Sequence, residues 1–290
     1  MEQFIANGLC RSAIYMLVAL GFGLIYYSTR ILHVAHGAVY TAAGYGAFLF
    51  LAKLGWPAVP SVVMALIGCC LLGLALEYCM YRPLYRQSAS AAVTMISSLG
   101  AYLILVNALS ICFGNQTRLL MDHLEKTYSV GSIILTQMQI IEVAVGLVGL
   151  LLFWLFLTRS RTGRLSRAFA DNPLLADVMG VNIMALRLRI LVAGSLLAGL
   201  GGVLSALDYG VDPASGFSVV LVAVVACIIG GFGSFLAASL GAAVLGMVQS
   251  IVIWQVSAKW ESAVTFALLI LFLLVRPQGI LGTRYRLEES

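Results

Sequence analysis

Residues 159–189 read RSRTGRLSRAFADNPLLADVMGVNIMALRLR, and they form the longest polar segment of an otherwise apolar chain. The segment carries six arginines against the two aspartates Asp171 and Asp177, so its formal charge is +4 in a chain whose total is +5. Loops rich in lysine and arginine stay on the cytoplasmic side when a membrane protein inserts. The sequence therefore predicts a cytoplasmic loop over about residues 158–189, between membrane-crossing helices.

A short helix with a marked beginning and end lies inside this loop. The side chain of Asn172 can accept hydrogen bonds from the exposed N–H groups of a first turn. Pro173 follows at the first helical position, where its missing N–H costs nothing. Gly180 comes after the last turn, where a left-handed residue closes a helix. Between these signals, an apolar ridge is formed by Leu174, Leu175 and Val178.

The ridge has two possible roles, and the pattern alone leaves both open. It can fold back onto the membrane-facing side of its own chain. It can instead insert into a groove on a soluble partner, as amphipathic helices do.

The composition defines the class of protein. Of 290 residues, 61% are hydrophobic and only 10% are charged, whereas soluble domains carry about 25% charged residues. Apolar runs of roughly 20 residues, long enough to cross a bilayer as a helix, recur along the whole length. We expect an all-α polytopic protein of the lipid bilayer that is a single domain over residues 1–290. We expect no soluble domain, no nucleotide-binding fold and no nucleic-acid partner.

Hydropathy predicts eight to nine transmembrane helices, some of them short or broken, with boundaries good to several residues. The apolar segments cover about residues 9–28, 32–52, 59–81, 91–113, 137–157, 190–207, 217–230, 235–255 and 262–275.

The distribution of charge predicts the orientation. With an odd number of crossings, an outer N-terminus and an inner C-terminus, the inner side holds twelve arginines and the outer side five basic residues, as the positive-inside rule requires. Arg11 fits this arrangement least well, because it lies in the first apolar run. The inner set is Arg30, Arg82, Arg86, Arg159, Arg161, Arg164, Arg167, Arg187, Arg189, Arg276, Arg284 and Arg286; the outer set is Arg11, Lys53, Arg118, Lys126 and Lys259. The acidic residues Asp122, Glu125, Asp208, Asp212 and Glu261 also fall outside.

Three features interrupt the apolar segments. Residues 31–46 (ILHVAHGAVYTAAGYG) mix apolar side chains with histidine and glycine, which indicates a broken helix whose backbone must be covered by protein or water. Pro83 is expected to end the third segment sharply, because proline disfavours helical geometry at the residue before it. Residues 230–234 (GGFGS) indicate a tight inner turn or another break.

Polar side chains inside the apolar segments have alternative roles. His33 and His36 stand three residues apart without a carboxylate or cysteine partner, so we expect no metal site, while a pathway role and simple helix-end polarity stay open. Ser97 and Ser98 either satisfy neighbouring backbone groups or line a pathway. Glu142 is expected to snorkel to the outer interface. No nucleophile–base pair indicates catalysis.

Short motifs follow one another along nearly the whole chain: Ala35-His36-Gly37 with Gly44-Tyr45, Tyr81-Arg82-Pro83-Leu84, Ala170-Asp171-Asn172-Pro173 with Ala176 and Gly180-Val181-Asn182, Ala198-Gly199 with Gly201-Gly202, Gly230-Gly231-Phe232-Gly233-Ser234, and Arg276-Pro277-Gln278-Gly279-Ile280. Their order and spacing resemble the permease subunits of branched-chain amino acid ABC importers, in particular the shorter, H-type subunit. Leu32-His33 departs from that family's pattern, which has Asn-Phe there; this affects substrate detail and not the fold.

This resemblance implies a non-catalytic transport subunit that works with partners. The family's permeases pair, usually as two different but related subunits; two cytoplasmic ATPases dock beneath them, and an external binding protein delivers substrate. The ATPases would hold ATP and magnesium, and this chain, in the bacterial inner membrane with its C-terminus inside, would hold no cofactor. The loop helix matches the family's ATPase-coupling segment, which favours insertion into a partner groove. The coupling residues are then Asn172, Pro173, Leu174, Leu175, Ala176, Val178, Met179 and Gly180.

The implied substrates are branched-chain amino acids. A zwitterion cannot cross bare lipid, because each charge there costs several kcal/mol, so polar groups should line its path between the two permeases. We expect that path to include His36, Tyr40, Thr41, Ser97, Ser98 and Gln249. Two alternatives stay open: a permease for urea or short-chain amides, and a stand-alone secondary transporter that needs no ATPase.

Overall fold

The structure is a computed structural model, and it describes residues 2–120, 126–131, 133–231 and 234–281. A short antiparallel hairpin, β1 Thr127–Val130 and β2 Ile133–Thr136, leads from the fifth helix to the sixth. The helices are α1 Glu2–Thr29, α2 His36–Phe48, α3 Ala58–Leu76, α4 Arg82–Arg86, α5 Ala91–Phe113, α6 Gln137–Arg159, α7 Arg161–Asp171, α8 Pro173–Val178, α9 Ile183–Tyr209, α10 Ser215–Gly230, α11 Ala237–Gln255 and α12 Glu261–Val275.

Seven helical stretches in the described part of the chain have the length and apolar composition to cross a membrane, and the last of them is α12 together with the 3₁₀ turn Ala258–Trp260 before it. α10 is shorter, at 16 residues, and α2 has 13 residues followed by a five-residue π-helical turn, Leu49–Lys53. The all-α polytopic class is confirmed, and every apolar segment overlaps a helix. Nine complete crossings stay a prediction, because the two short helices fall below the roughly 20 residues of a full span.

α1 forms the centre of the bundle. It packs against α6, α9, α10 and α11, and 83% of its most apolar stretch is buried. The neighbouring helices approach closely because glycines face α1: a Cβ added to Gly146 would overlap Ala13, and one added to Gly246 would overlap Ser12. Small residues at such crossings let helix backbones pack tightly in lipid.

We call the end of the bundle where α1 begins the Glu2 face and the end where α1 finishes the Arg30 face. Contacts with α1 fix the direction of its neighbours. Phe4 stacks on Trp254 at the end of α11, and Cys10 lies against the carbonyl of Gln139 at the start of α6. α11 therefore ends at the Glu2 face, antiparallel to α1, and α6 begins there, parallel to α1.

Basic residues gather at the Arg30 face, as the charge pattern predicts. Ten of the twelve arginines assigned to the inner side lie there, and the five basic residues assigned to the outer side lie at the Glu2 face. Which face is cytoplasmic stays a prediction. Arg284, Arg286, Asp122 and Glu125 lie outside the described residues.

Pro83 does not end the third segment, contrary to expectation. The helical backbone continues through a π-helical turn, Glu77–Tyr81, into α4. The N–H of Arg82 bonds to the carbonyl of Glu77, so the π turn starts a new hydrogen-bond ladder. Pro83 then falls in a first turn, where its missing N–H is not needed.

Glu142 does not snorkel to the interface either, because its side chain is fully buried. It lies one helical turn before Gly146, on the face of α6 that packs against α1. The glycine-rich stretch at 230–234 ends α10 and precedes α11, with Gly231 at a φ of +104°. Phe232 and Gly233 lie outside the described residues.

Candidate functional site

The chain enters the bundle through a buried segment without helical structure. After α1, residues 30–33 are not helical, and Ile31, His33 and Ala35 are buried. α2 begins at His36, whose Nε2 lies 3.2 Å from the carbonyl oxygen of Val18, near the middle of α1. The broken helix is confirmed, with its irregular backbone covered by protein as the membrane interior requires.

Residues 30–35, between α1 and α2, are called the re-entrant segment here. A chain of hydrogen bonds holds this segment in place. The Tyr81 hydroxyl donates to Ser98 Oγ at 2.8 Å, and Ser98 Oγ also accepts from the backbone N–H of Ala35 at 3.0 Å. His33 Nδ1 lies 2.5 Å from the Tyr81 oxygen. The tautomer of the His33 ring decides which of these two groups donates to the other. The network ties the segment to α5 and to the π turn after α3.

The short helices α2 and α10 begin side by side. Gly37 and Gly216 are each the second residue of their helix, and a Cβ added to either would overlap the carbonyl oxygen of the other. Their N-termini therefore converge inside the bundle. Broken helices whose N-terminal ends meet in this way recur at the substrate sites of membrane transporters.

The structure does not bring the six expected path residues into one site. His36, Thr41 and Ser98 are buried and bonded to groups within the bundle, while Ser97 is half-buried on α5. Tyr40 and Gln249, in contrast, line a common cavity.

This cavity opens at the Glu2 face and has a volume of about 340 Å³. Its polar wall includes Arg11 and Tyr15 from α1, Glu261 from the start of α12, and the serines of α9 and α10. Its apolar wall comes from α1, α10 and α12. The lining residues are Arg11, Ile14, Tyr15, Tyr40, Ser205, Tyr209, Ser215, Ser218, Val219, Leu221, Val222, Gln249, Ala258, Glu261, Ser262, Thr265 and Phe266.

An ion pair lies in the wall of this cavity. Arg11 Nη1 is 3.1 Å from Glu261 Oε1, and the two side chains are 27% and 30% exposed. The same carboxylate oxygen accepts from the Tyr15 hydroxyl at 3.0 Å. The pair explains how Arg11 is accommodated inside an apolar run. Sequence reasoning missed it because the two residues are 250 positions apart.

The short helix α8 forms as the sequence predicts. Asn172 Oδ1 accepts from the backbone N–H of Leu175 at 2.9 Å, Pro173 is the first residue of α8, and Gly180 has a φ of +79°. These end signals are local, so sequence alone was sufficient to find them.

The ridge of α8 points away from its own bundle. Leu174 is 77% exposed, Leu175 57%, Val178 76% and Met179 75%, while Ala176 is buried. Within the described chain, the ridge therefore does not fold back onto the membrane helices. Its contact with a partner stays a prediction.

The basic loop is more ordered than the sequence indicated. It contains a further amphipathic helix, α7, capped by Ser160 Oγ, which accepts from the N–H of Gly163 at 2.8 Å. Phe169 buries one side of α7 against the bundle. A cavity of about 670 Å³ opens beside α7 at the Arg30 face, bordered by Arg30, Trp154 and Arg167.

The loop ends earlier than expected, because α9 begins at Ile183. Arg187 is thus a helix residue, and its side chain is buried instead of facing solvent. Its Nε lies 3.1 Å from Glu77 Oε1, with both side chains 2% exposed, and its guanidinium carbon lies 4.4 Å from the centre of the Tyr85 ring. This buried pair braces the start of α9 against the end of the third segment.

The bundle and its buried re-entrant segment together define a multi-pass membrane protein. A family model described as "Branched-chain amino acid transport system / permease component" matches residues 4–273. The chain belongs to this permease family.

Curated relatives agree with the family model over almost the entire chain. The branched-chain amino acid permease protein BraD of Pseudomonas aeruginosa is 31% identical over 294 residues, covering 97% of this chain and 95% of that protein. The permease protein LivH of Escherichia coli K12 gives the same identity and coverage.

A solved structure shares the fold. PsaBC from Streptococcus pneumoniae, in complex with Fab, aligns with a TM-score of 0.51 over 95% of this chain and 92% of that one. Its sequence identity is 16%, so the likeness concerns the fold alone.

Proposed function

We propose that this chain is the membrane-spanning permease subunit of an ABC importer that moves branched-chain amino acids across the inner membrane of a bacterium. The observation that carries the proposal is the family match, which extends over residues 4–273. The chain itself is not an enzyme in this proposal. Two partner ATPases bind ATP and magnesium, hydrolyse the ATP, and drive the transport.

Energy enters through α8. Its Leu174, Leu175 and Val178 side chains are exposed, which suits an apolar groove on the ATPase surface. The helix is closed by Asn172 at one end and Gly180 at the other, so it moves as a stiff unit. The Arg30 face is cytoplasmic in this arrangement, in agreement with its excess of arginines.

Movement of α8 reaches the membrane helices through its neighbours. α8 contacts α7, and α7 in turn contacts α1, α6 and α9. The buried Arg187–Glu77 pair joins α9 to the third segment. ATP-driven motion at the Arg30 face is thereby transmitted to the helices around the re-entrant segment.

A second, related permease completes the conduit. The most apolar stretches of α5 and α12 are only 11% and 6% buried in this chain, which leaves broad faces for a partner helix or for lipid. An external binding protein delivers the amino acid at the Glu2 face. Polar groups along the conduit replace the water that the zwitterion loses, since unpaired charge in lipid costs several kcal/mol.

Charging the ridge of α8 tests the coupling role. In the variant Leu175→Asp/Val178→Asp, we expect substrate-stimulated ATPase activity and leucine uptake to disappear, because carboxylates cannot enter an apolar groove, while the permease still inserts into the membrane. The conservative variant Leu175→Met/Val178→Ile keeps the ridge apolar and should retain both activities. Normal stimulation of the charged variant would refute coupling through α8.

Competition uptake tests the substrate. Reconstituted importer should accumulate labelled leucine, and an excess of unlabelled valine or isoleucine should suppress that uptake. An excess of urea should leave it unchanged. Accumulation of urea without accumulation of leucine would overturn the substrate assignment and leave the transporter class intact.

A further inference from the structure

The cavity at the Glu2 face contains two side chains of opposite charge, Arg11 and Glu261. The transport cycle proposed above gives neither of them a role. Arg11 has five N–H donors, and among the residues that the structure describes its hydrogen bond to Glu261 uses Nη1 alone. Glu261 uses Oε1 for both Arg11 and Tyr15. Donors on the guanidinium and the second carboxylate oxygen, Oε2, are therefore left for another group that enters the cavity.

A third polar group points to a ligand. Gln249 is fully buried and lines the cavity. Its Nε2 donates to Thr265 Oγ1 at 2.6 Å, while its Oε1 has no hydrogen-bond partner in the described part of the chain. A buried acceptor without a donor is unfavourable, and an ammonium group that enters the cavity would satisfy it.

The remaining walls define the shape of the ligand. Ile14, Val219, Val222 and Phe266 provide an apolar surface beside the charged groups. The volume of about 340 Å³ lies within the range of small-molecule pockets, roughly 300–1,000 Å³. A small molecule with a negative end, a positive end and an aliphatic side chain matches the guanidinium, the oxygen acceptors and the apolar wall of the cavity.

We propose that this cavity is a transit site for a zwitterionic α-amino acid, with the substrate carboxylate on Arg11 and its ammonium group on Glu261 and Gln249 Oε1. The inference rests on the proposed function and adds a site to it. Without substrate, Arg11 and Glu261 neutralise each other. When substrate enters, each charge exchanges its partner for the opposite end of the zwitterion, so no isolated charge is created during loading.

Protection of a thiol in the cavity wall tests this site. The reporter is Ser218→Cys in the complete importer, reconstituted in nanodiscs without the external binding protein. Its reaction with a water-soluble methanethiosulfonate is followed on the corresponding peptide by mass spectrometry, which separates it from the native cysteines. Leucine should slow the reaction several-fold. Isopentylamine and 4-methylpentanoate, which each lack one charge of leucine, should not slow it at the same concentration.

The double variant Arg11→Gln/Glu261→Gln removes both charges together. It leaves no unpaired charge, so it avoids the folding defect that a single substitution could cause. In the reporter background, we expect the leucine concentration for half-protection to rise at least about tenfold, because charge-assisted hydrogen bonds are lost. Lys259→Gln, which removes a nearby exposed charge outside the cavity, should not change it.

The outcomes separate the site from the proposed function. Absence of protection by leucine, or equal protection in the double variant, would overturn the transit site. Leucine uptake by the importer with its native Ser218 would leave the function standing in either case. Protection by urea instead of leucine, together with urea uptake, would overturn both.

Discussion

The buried ion pair between Arg187 and Glu77 permits a quantitative prediction. The two charges lie 3.1 Å apart, and both side chains are 2% exposed. At an effective dielectric constant of about 20, charges at this separation attract each other by about 5 kcal/mol. Removal of one partner leaves the other buried and unpaired, which costs about 3–5 kcal/mol.

We therefore expect Arg187→Met to lower the free energy of unfolding by about 3–5 kcal/mol. The double variant Arg187→Met/Glu77→Met leaves no orphaned charge and should lose about 1 kcal/mol or less, because apolar replacement of a whole buried pair is often neutral. Arg189→Met, at an exposed position in the same turn of α9, should stay within about 0.5 kcal/mol of the parent.

The assay is equilibrium unfolding by SDS in mixed micelles, followed by circular dichroism. The decisive quantity is the difference between the single and the double variant. Two results would contradict the buried ion pair: a loss of unfolding free energy in Arg187→Met no larger than in Arg189→Met, or a double variant as unstable as the single one. Either would show that the guanidinium is not buried against Glu77.

Three further predictions concern packing and helix ends. Tyr81→Phe should destabilise the bundle by about 1–3 kcal/mol, since it leaves the buried His33 and Ser98 without their shared partner. Tyr78→Phe, at an exposed position, should not change the free energy of unfolding in the same assay. Gly216→Ala should reduce folded yield in size-exclusion chromatography, because its Cβ would overlap a carbonyl of α2, whereas Gly68→Ala, with open space around it, should fold normally. Asn172→Ala should weaken α8 by about 1 kcal/mol and reduce substrate-stimulated ATPase activity without reducing membrane insertion; an unchanged activity would show that the cap is dispensable.

The elements that sequence predicts well are those with local causes. The segments α5 and α6 begin where hydropathy places them, and the ends of α8 follow from Asn172, Pro173 and Gly180, whose effects act within one helical turn. The re-entrant segment was also visible, because histidine and glycine interrupt an apolar run there. Each of these features is encoded within a few consecutive residues.

The features that sequence missed depend on contacts between distant parts of the chain. Arg187 was counted as a loop charge, since nothing near it in the sequence indicates Glu77, 110 positions away. Glu142 was expected at the interface because hydropathy does not state which side of α6 meets α1. The π turn before Pro83 was also missed, because hydropathy gives the length of an apolar segment and not the pattern of hydrogen bonds within it.

The candidate path stays a prediction, and the structure shows only where its residues lie. Polar residue type selected His36, Thr41 and Ser98, yet these side chains bond to backbone or to other buried groups. Tyr40 and Gln249 do line a cavity, and the charged pair beside them was counted only as charge on the outer side. Whether a polar side chain lines a cavity or satisfies its neighbours is decided by helix rotation, which one sequence does not reveal.

Photo-cross-linking shows whether α8 contacts the ATPase in the assembled importer. A photoreactive benzoylphenylalanine in place of Leu174 of α8, in the assembled importer, should form a covalent product with the ATPase subunit on irradiation. The same group in place of Leu151, an exposed position of α6, should react with lipid or a membrane helix instead. Products from the Leu174 position that contain only lipid or this chain itself would show that α8 does not contact the ATPase.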